Sequence, residues 1–456
     1  MMDLASAARD VGGRLQGANA RFSRVTSDSR TLEPGDLFVA LSGERFDGHD
    51  YVAQAFERGA SGALVADVRA PSLAGNLVVV DDTLAALGRL AHAWRSRFTL
   101  PLAIVVGSNG KTTVKEMIAA ALRAQHGDDA VLSTRGNLNN AIGLPLTLLR
   151  LRDAHRAAVI ELGMNHRGET RELAAVAAPT IAVVNNAQRE HQEFMHSVAD
   201  VADEHADAVL ALRSDGVAVI NADDVHAQVW RDAAARVGAQ VLAFGTGAVA
   251  DVRGDVTPHD DRSTIALRTP RGRATLELRV PGLPMAQNAL AACAAALAAG
   301  VGLDAVVGGL QGFRPVGGRL ATTRARVGAR VIDDSYNANP DSVRAAIDVL
   351  SRARPPRWLV LGDMGEVGDR GPAFHREIGE YARSAGIERL FVAGELSRHA
   401  ASAFGSRAVH FDDVDALAAA LPSQVPEDAT LLVKGSRFMR MERVVAALAG
   451  AVQEGH

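Results

Sequence analysis

One cysteine in 456 residues leaves no possibility of an internal disulfide. That thiol, Cys293, lies in the Ala-rich run from Ala289 to Ala299, which reads as a buried helix and makes it an inert core group. No stretch reaches the ~18 uninterrupted apolar residues of a membrane helix. The start, Met1-Met2-Asp3-Leu4-Ala5, lacks the basic residues and apolar core of a signal peptide. A reducing, cytoplasmic location is expected. Charge of one sign is also missing: 49 basic residues face 53 acidic ones, for a net charge of -4. That balance excludes a general nucleic-acid or membrane surface. There is no internal repeat at a solenoid period.

What remains is ordinary globular material, 48% hydrophobic and 22% charged. At roughly 150 residues per domain, the length suggests about three domains. The first hundred residues alternate short apolar runs with turn clusters. Asp36 to Leu41 and Leu77 to Val80 read as strands, and Tyr51 to Arg58 as a helix that stops at Gly59. A boundary is expected between Arg95 and Pro101, because Pro101 interrupts the helical pattern.

A different rhythm follows. Leu102 to Val106 is a continuous apolar run, as in a buried parallel strand. Val114, Met117, Ile118, Ala121 and Leu122 then recur at helical spacing. The runs Ala157–Ile160, Ile181–Val184 and Val217–Ile220 each end in polar residues, the pattern of a doubly wound sheet with its ligand site at the strands' carboxyl ends. Val249 to Pro281 reads as exposed strands and turns appended to that sheet. Later runs at Val331-Ile332, Trp358–Leu361, Leu390–Val392 and Leu431–Val433 predict a further α/β unit. The expected fold is α/β in three domains, 1–99, 100–312 and 313–456.

Between the apolar strand and the amphipathic helix stands Gly107-Ser108-Asn109-Gly110-Lys111-Thr112-Thr113. Glycines let the backbone approach phosphate, and the N–H groups at the helix start face the anion. Lys111 can neutralise β- and γ-phosphate charge, and the Thr112 hydroxyl can ligate Mg²⁺. The loop is a shortened G-x-x-G-K-T, with Val105 where the longer pattern has its first glycine. It implies a nucleoside triphosphate. Kinases, GTPases and ligases all use such cradles, so the loop alone does not name a reaction.

Further segments narrow it: Gly136-Asn137-Leu138-Asn139-Asn140-Ala141-Ile142-Gly143, Glu161-Leu162-Gly163-Met164-Asn165-His166, Asp333-Asp334-Ser335-Tyr336-Asn337-Ala338-Asn339-Pro340 and Val433-Lys434-Gly435-Ser436-Arg437. With the short loop, they resemble the Mur ligase family over essentially the full length. The segments around Asn137 and Tyr336 resemble those members that attach a dipeptide. The resemblance implies an N-terminal substrate domain, a central P-loop-type ATPase domain and a C-terminal Rossmann-like domain. It implies ATP and Mg²⁺, with UDP-N-acetylmuramoyl-tripeptide and D-alanyl-D-alanine as substrates; apart from the resemblance, no nucleic-acid or membrane partner is expected, and the expected state is a monomer.

The same resemblance assigns residues. Lys111, Glu161, His191, Arg319 and Lys434 are the implied catalytic set, with Thr112, Glu161 and His191 at the metals. Nucleotide contacts are implied for Gly107 to Thr113, Asn288, Arg319, Asp334, Tyr336 and Asn337; for Asn288, helix capping is the rival. Substrate contacts are implied for Ser27, Asp28, Ser29 and Arg30, for Asn137, Asn139 and Asn140, and for Asn339 and Ser436. The surface from Gly43 through Arg45 to His49 continues the first group, though a simple turn explains either segment alone.

Two departures stand out. Many family members carry a carbamylated lysine about fourteen residues after the metal histidine, and here that position is His205. His205, Glu204 or Asp207 substitutes for it, or a second metal is held differently. Pro284-Met285 stands where relatives often have His-Asn. The alternatives are a sibling ligase adding another amino acid and a non-catalytic nucleotide-binding scaffold.

Overall fold

The computed structural model describes residues 1–44 and 46–450; Arg45 and the last six residues lie outside the described residues. The chain is α/β with mainly parallel sheets. A five-stranded sheet runs in the order Arg14–Gln16, Leu77–Val80, Gly62–Ala66, Asp36–Val39, Arg24–Thr26. The helix expected over Tyr51 to Arg58 is Val52–Glu57, entered through a 3-10 turn.

The second sheet has nine strands. Its centre is β1 (Leu102–Val106), β2 (Ala157–Glu161), β3 (Ile181–Val184) and β4 (Val217–Asn221), in the spatial order β4-β3-β1-β2. These strands are parallel and buried on both faces, which is why they read as continuous apolar runs. The chain leaves β1 through α1 (Lys111–His126) towards the β2 side. After β2, α2 (Glu169–Ala177) carries it back to β3, and α3 (Val198–Leu210) leads on to β4 on the opposite side. The β1/β3 boundary is therefore a topological switch point, where a crevice opens beyond the carboxyl ends of the strands.

The appended segment forms three strands, Val252–Pro258, Ser263–Thr269 and Gly272–Leu278, the last two pairings antiparallel. It is less exposed than the composition suggests. Val252, Ile265, Leu267, Leu276 and Leu278 alternate inward beneath α4 (Leu283–Ala298) and the helix that follows it. Cys293 is buried in α4, and desolvation pushes its thiol up to about 12, as expected of an inert core group.

A six-stranded sheet runs Ala321–Arg324, β5 (Arg330–Asp334), β6 (Thr430–Lys434), Arg357–Gly362, Arg389–Ala393, Ala408–Phe411. All pairs are parallel except the first. Helix α5 (Pro340–Ser351) follows β5, capped by Asn339, whose side chain accepts from the Ser342 N–H. No helix among the described residues is long and apolar enough to cross a membrane.

Candidate active site

The loop after β1 is shaped by what crowds it. Gly110 stands at φ +83°, and a Cβ there would lie 2.4 Å from Asn288 Oδ1. Gly107 stands at φ +143°, with a Cβ position 2.9 Å from that of Asn185. Glycine is needed at both positions. The residues after β3 hold the loop from the other side of the switch point. Asn185 Nδ2 donates to the Asn109 carbonyl at 2.8 Å and to Asn288 Oδ1 at 2.9 Å. The Asn109 N–H donates to Asn186 Oδ1 at 2.9 Å, and the Gln188 N–H to Ser108 Oγ at 2.8 Å. Thr112 and Thr113 are buried in the first turn of α1. Asn288 lies well inside α4, so the capping alternative falls; Pro284 belongs to the first turn of that helix, where proline is favoured.

On the β2 side, Glu161 ends its strand buried, at 3% exposure. Its Oε1 accepts from Asn139 Nδ2 at 2.8 Å, while Oε2 is buried without any partner. A buried carboxylate oxygen left bare is costly, and a cation removes that cost. Thr112 and Glu161 both line the cleft, so their donor set fits a divalent cation completed by phosphate oxygens and water. Asn137 and Asn140 lie on the same rim, more exposed.

Beyond β3 the chain presents Arg189, Glu190 and His191. Lys111 Nζ turns back to the Gly107 carbonyl at 2.6 Å and stands 3.3 Å from Glu190 Oε2. Burial alone would push the Glu190 carboxyl up; Lys111, His205 and His191 outweigh it and hold it at about 2. His191 Nδ1 lies 2.6 Å from Glu366 Oε2, a residue of the third sheet's loops. His191, Leu320 and Glu366 all have positive φ, three of the five such non-glycine residues among the described residues, and all three line the cleft. Backbone strain gathered in this way marks functional sites.

The third sheet supplies the facing wall. Asp334 and Lys434 are register partners at the ends of β5 and β6, with Nζ 2.6 Å from the carboxylate and 2.8 Å from the Asn337 carbonyl. Arg319 stacks over the Tyr336 ring at 4.1 Å, which keeps its guanidinium extended at the cleft. Asn339 and Asn109 exchange amide hydrogen bonds across the junction, at 3.0 and 3.3 Å. The walls enclose roughly 1010 Å³.

Not every expected residue faces this space. The Ser436 hydroxyl is already used, accepting from the Gly365 N–H at 2.7 Å and donating to the Ala338 carbonyl at 3.0 Å. Ser27 to Arg30 follow the edge strand Arg24–Thr26 of the first sheet and do not line the cleft; Arg30 there clasps Asp28 through both carboxylate oxygens. Two residues that sequence reasoning did not single out do bear on the cleft. One is Glu190. The other is Arg189, which binds Asp341 at 2.6 Å and Glu377 at 2.8 Å and so ties the loop after β3 to helices of the third sheet. Replacing Arg189 with alanine is expected to loosen this junction. The radius of gyration in solution scattering should rise and kcat/KM fall by about tenfold, the loss of one interface charge cluster. An unchanged radius would show that the ion pairs do not hold the walls together.

Residues 105–296 match the profile described as Mur ligase middle domain, residues 318–437 that described as Mur ligase, glutamate ligase domain, and residues 21–95 that described as Mur ligase family, catalytic domain. The chain is 41% identical over 448 residues to the UDP-N-acetylmuramoyl-tripeptide–D-alanyl-D-alanine ligase of Escherichia coli (strain K12), covering 96% of each chain. It is 34% identical to the Bacillus subtilis (strain 168) protein of the same name, over 93% of this chain and 92% of that one. A crystal structure of MurF from Acinetobacter baumannii superposes with a TM-score of 0.89 at 32% identity, covering 98% of each chain.

Proposed function

The chain belongs to the Mur ligase family, and from that premise we propose that it is a MurF-type enzyme. It joins D-alanyl-D-alanine to UDP-N-acetylmuramoyl-tripeptide with ATP cleavage to ADP, yielding the UDP-N-acetylmuramoyl-pentapeptide of peptidoglycan synthesis. The observation that carries this reading is one cleft with a phosphate loop on one wall and Arg319, Asp334 and Lys434 on the other.

The chemistry has two steps. The terminal carboxylate of the tripeptide attacks the γ-phosphorus of ATP, the bond to the β-phosphate oxygen breaks, and ADP leaves. The dipeptide amine then attacks the acyl carbon, the carbon–oxygen bond to phosphate breaks, and the amine loses a proton. Negative charge collects on phosphoryl oxygens in both steps, so fixed cations at those oxygens lower both barriers. Lys111 supplies one from the loop, and Arg319 supplies another whose planar fork suits phosphate oxygens. Lys434, fixed by Asp334 and the Asn337 carbonyl, holds a third charge on the opposite wall. Thr112 and Glu161 would hold Mg²⁺ on one side of the loop, with His191 on the other; when bound, the ion neutralises the triphosphate. Bringing the walls together aligns two reactants and keeps water from the acyl phosphate.

The domain division 1–99, 100–312 and 313–456 belongs to the same proposal, supported by each large sheet falling within one segment. The first domain would hold the UDP end of the substrate through Ser27 to Arg30.

The test is phosphate release from ATP by the purified protein. Turnover is expected only when both UDP-N-acetylmuramoyl-tripeptide and D-alanyl-D-alanine are present. Equal turnover with a single free amino acid in place of the dipeptide would instead identify a sibling ligase.

A further inference from the structure

Glu190 is a second buried carboxylate at the phosphate loop. Because β1 lies between β3 and β2, Glu190 and Glu161 flank the loop from its two sides. Glu190 is 5% exposed. Its Oε2 stands 3.3 Å from Lys111 Nζ and 3.8 Å from His191 Nε2. Its Oε1 stands 3.4 Å from His205 Nε2, at an angle that makes no hydrogen bond, and has no other partner.

The neighbouring acids on α3 are already spent. Glu204 accepts from the Gly168 and Thr170 N–H groups, both at 2.8 Å, capping the start of α2. Asp207 pairs with Arg171 at 3.1 Å. His205 is 1% exposed, and its contact with the cleft is through Glu190. Among the described residues near the position where the sequence shows no lysine, Glu190 combines an anionic charge, burial and an oxygen without a hydrogen bond. Such an oxygen, with only the His205 imidazole at 3.4 Å, favours a cation. Lys111 faces only the other oxygen, and its ammonium is required by phosphate once nucleotide binds.

Resting on the nucleotide reading above, we propose that Glu190 is the protein's anionic ligand for a second divalent cation at the bound triphosphate, with His191 beside it. His205 positions Glu190 from behind and does not need to be modified. Among the described residues no three His, Cys, Asp or Glu side chains converge closely enough to hold an ion alone. The second ion therefore completes its shell from phosphate oxygens and water, the usual habit of Mg²⁺. Its site forms only with nucleotide present and is independent of dissolved carbon dioxide.

The experiment counts bound Mn²⁺ by electron paramagnetic resonance, with a non-hydrolysable ATP analogue, for the wild type, Glu190→Gln and Glu190→Ala. Thermal melting verifies that each variant is folded. The wild type should bind two Mn²⁺ per nucleotide complex, equally in degassed and bicarbonate buffer. In both variants the weaker Mn²⁺ should lose at least ~10-fold in affinity while the tighter one is unchanged. Wild-type binding of a single Mn²⁺, or two ions retained at wild-type affinity in Glu190→Gln, overturns the assignment. So does a variant that keeps both ions but loses nucleotide affinity in EDTA, which would make Glu190 only a counter-ion of Lys111. Should the wild type bind no nucleotide under any condition, the ATP reading itself falls. Should Glu190→Ala fail to fold, the near-isosteric Glu190→Gln decides, because it keeps the side chain's shape and removes only its charge.

Discussion

Replacing Lys111 with alanine is expected to lower ATP-dependent turnover by ~10²- to 10³-fold, the usual loss when one preorganised charge-stabilising group leaves an active site. The side chain starts the helix that faces phosphate, and its ammonium lies over the loop's own carbonyls. Among the described residues, the other Lys and Arg side chains that line the cleft, Arg319, Lys434 and Arg437, all belong to the opposite wall. The substitution also strips Glu190 of its nearest positive charge, so some loss of thermal stability should accompany the loss of rate. Steady-state ADP release with both substrates saturating measures the effect. Turnover within about tenfold of wild type would mean that the loop does not serve catalysis, as in a scaffold that has kept only the fold.

Glu161→Gln should separate activity from stability. Glutamine keeps the shape and leaves an oxygen to accept from Asn139, but removes the negative charge carried by the bare Oε2. A neutral amide is easier to bury than a carboxylate, so the melting temperature should equal or exceed that of the wild type. Turnover at fixed Mg²⁺ should nonetheless fall by about 100-fold. The Mg²⁺ concentration needed for half-maximal rate should rise ~10- to 100-fold. A variant with unchanged Mg²⁺ dependence would remove Glu161 from the metal site.

The sequence showed the parts of the molecule whose burial is uniform. β1 to β4 are covered on both faces, so their apolar runs and polar ends stood out, and with them the loop and Glu161. Half-buried edges were harder to see. Ala408–Phe411 and Ala321–Arg324 are short edge strands with no fully buried residue, so no apolar run marks them in the sequence. α4 begins at Leu283, six residues before the Ala-rich run that marks it in the sequence, because Pro284 suits a helix's first turn.

Long-range constellations were the least visible. Glu190 meets Lys111 from 79 positions away. Arg189 reaches Asp341 and Glu377 across 152 and 188 positions. No local periodicity encodes such meetings. The usable signal was the position of both residues beside His191 after a strand end at the switch point. Substrate identity came from segments such as Asn137–Gly143 and Tyr336–Pro340 through resemblance, since their amides alone suit many ligands.

In the proposed reaction the tripeptide carboxyl is activated by taking the γ-phosphoryl group. This activation is tested most directly by labelling that carboxylate with ¹⁸O and analysing the inorganic phosphate released during turnover with D-alanyl-D-alanine. An acyl-phosphate route carries one ¹⁸O atom from the carboxylate into each phosphate. Phosphate free of ¹⁸O, released alongside peptide-bond formation, would contradict it.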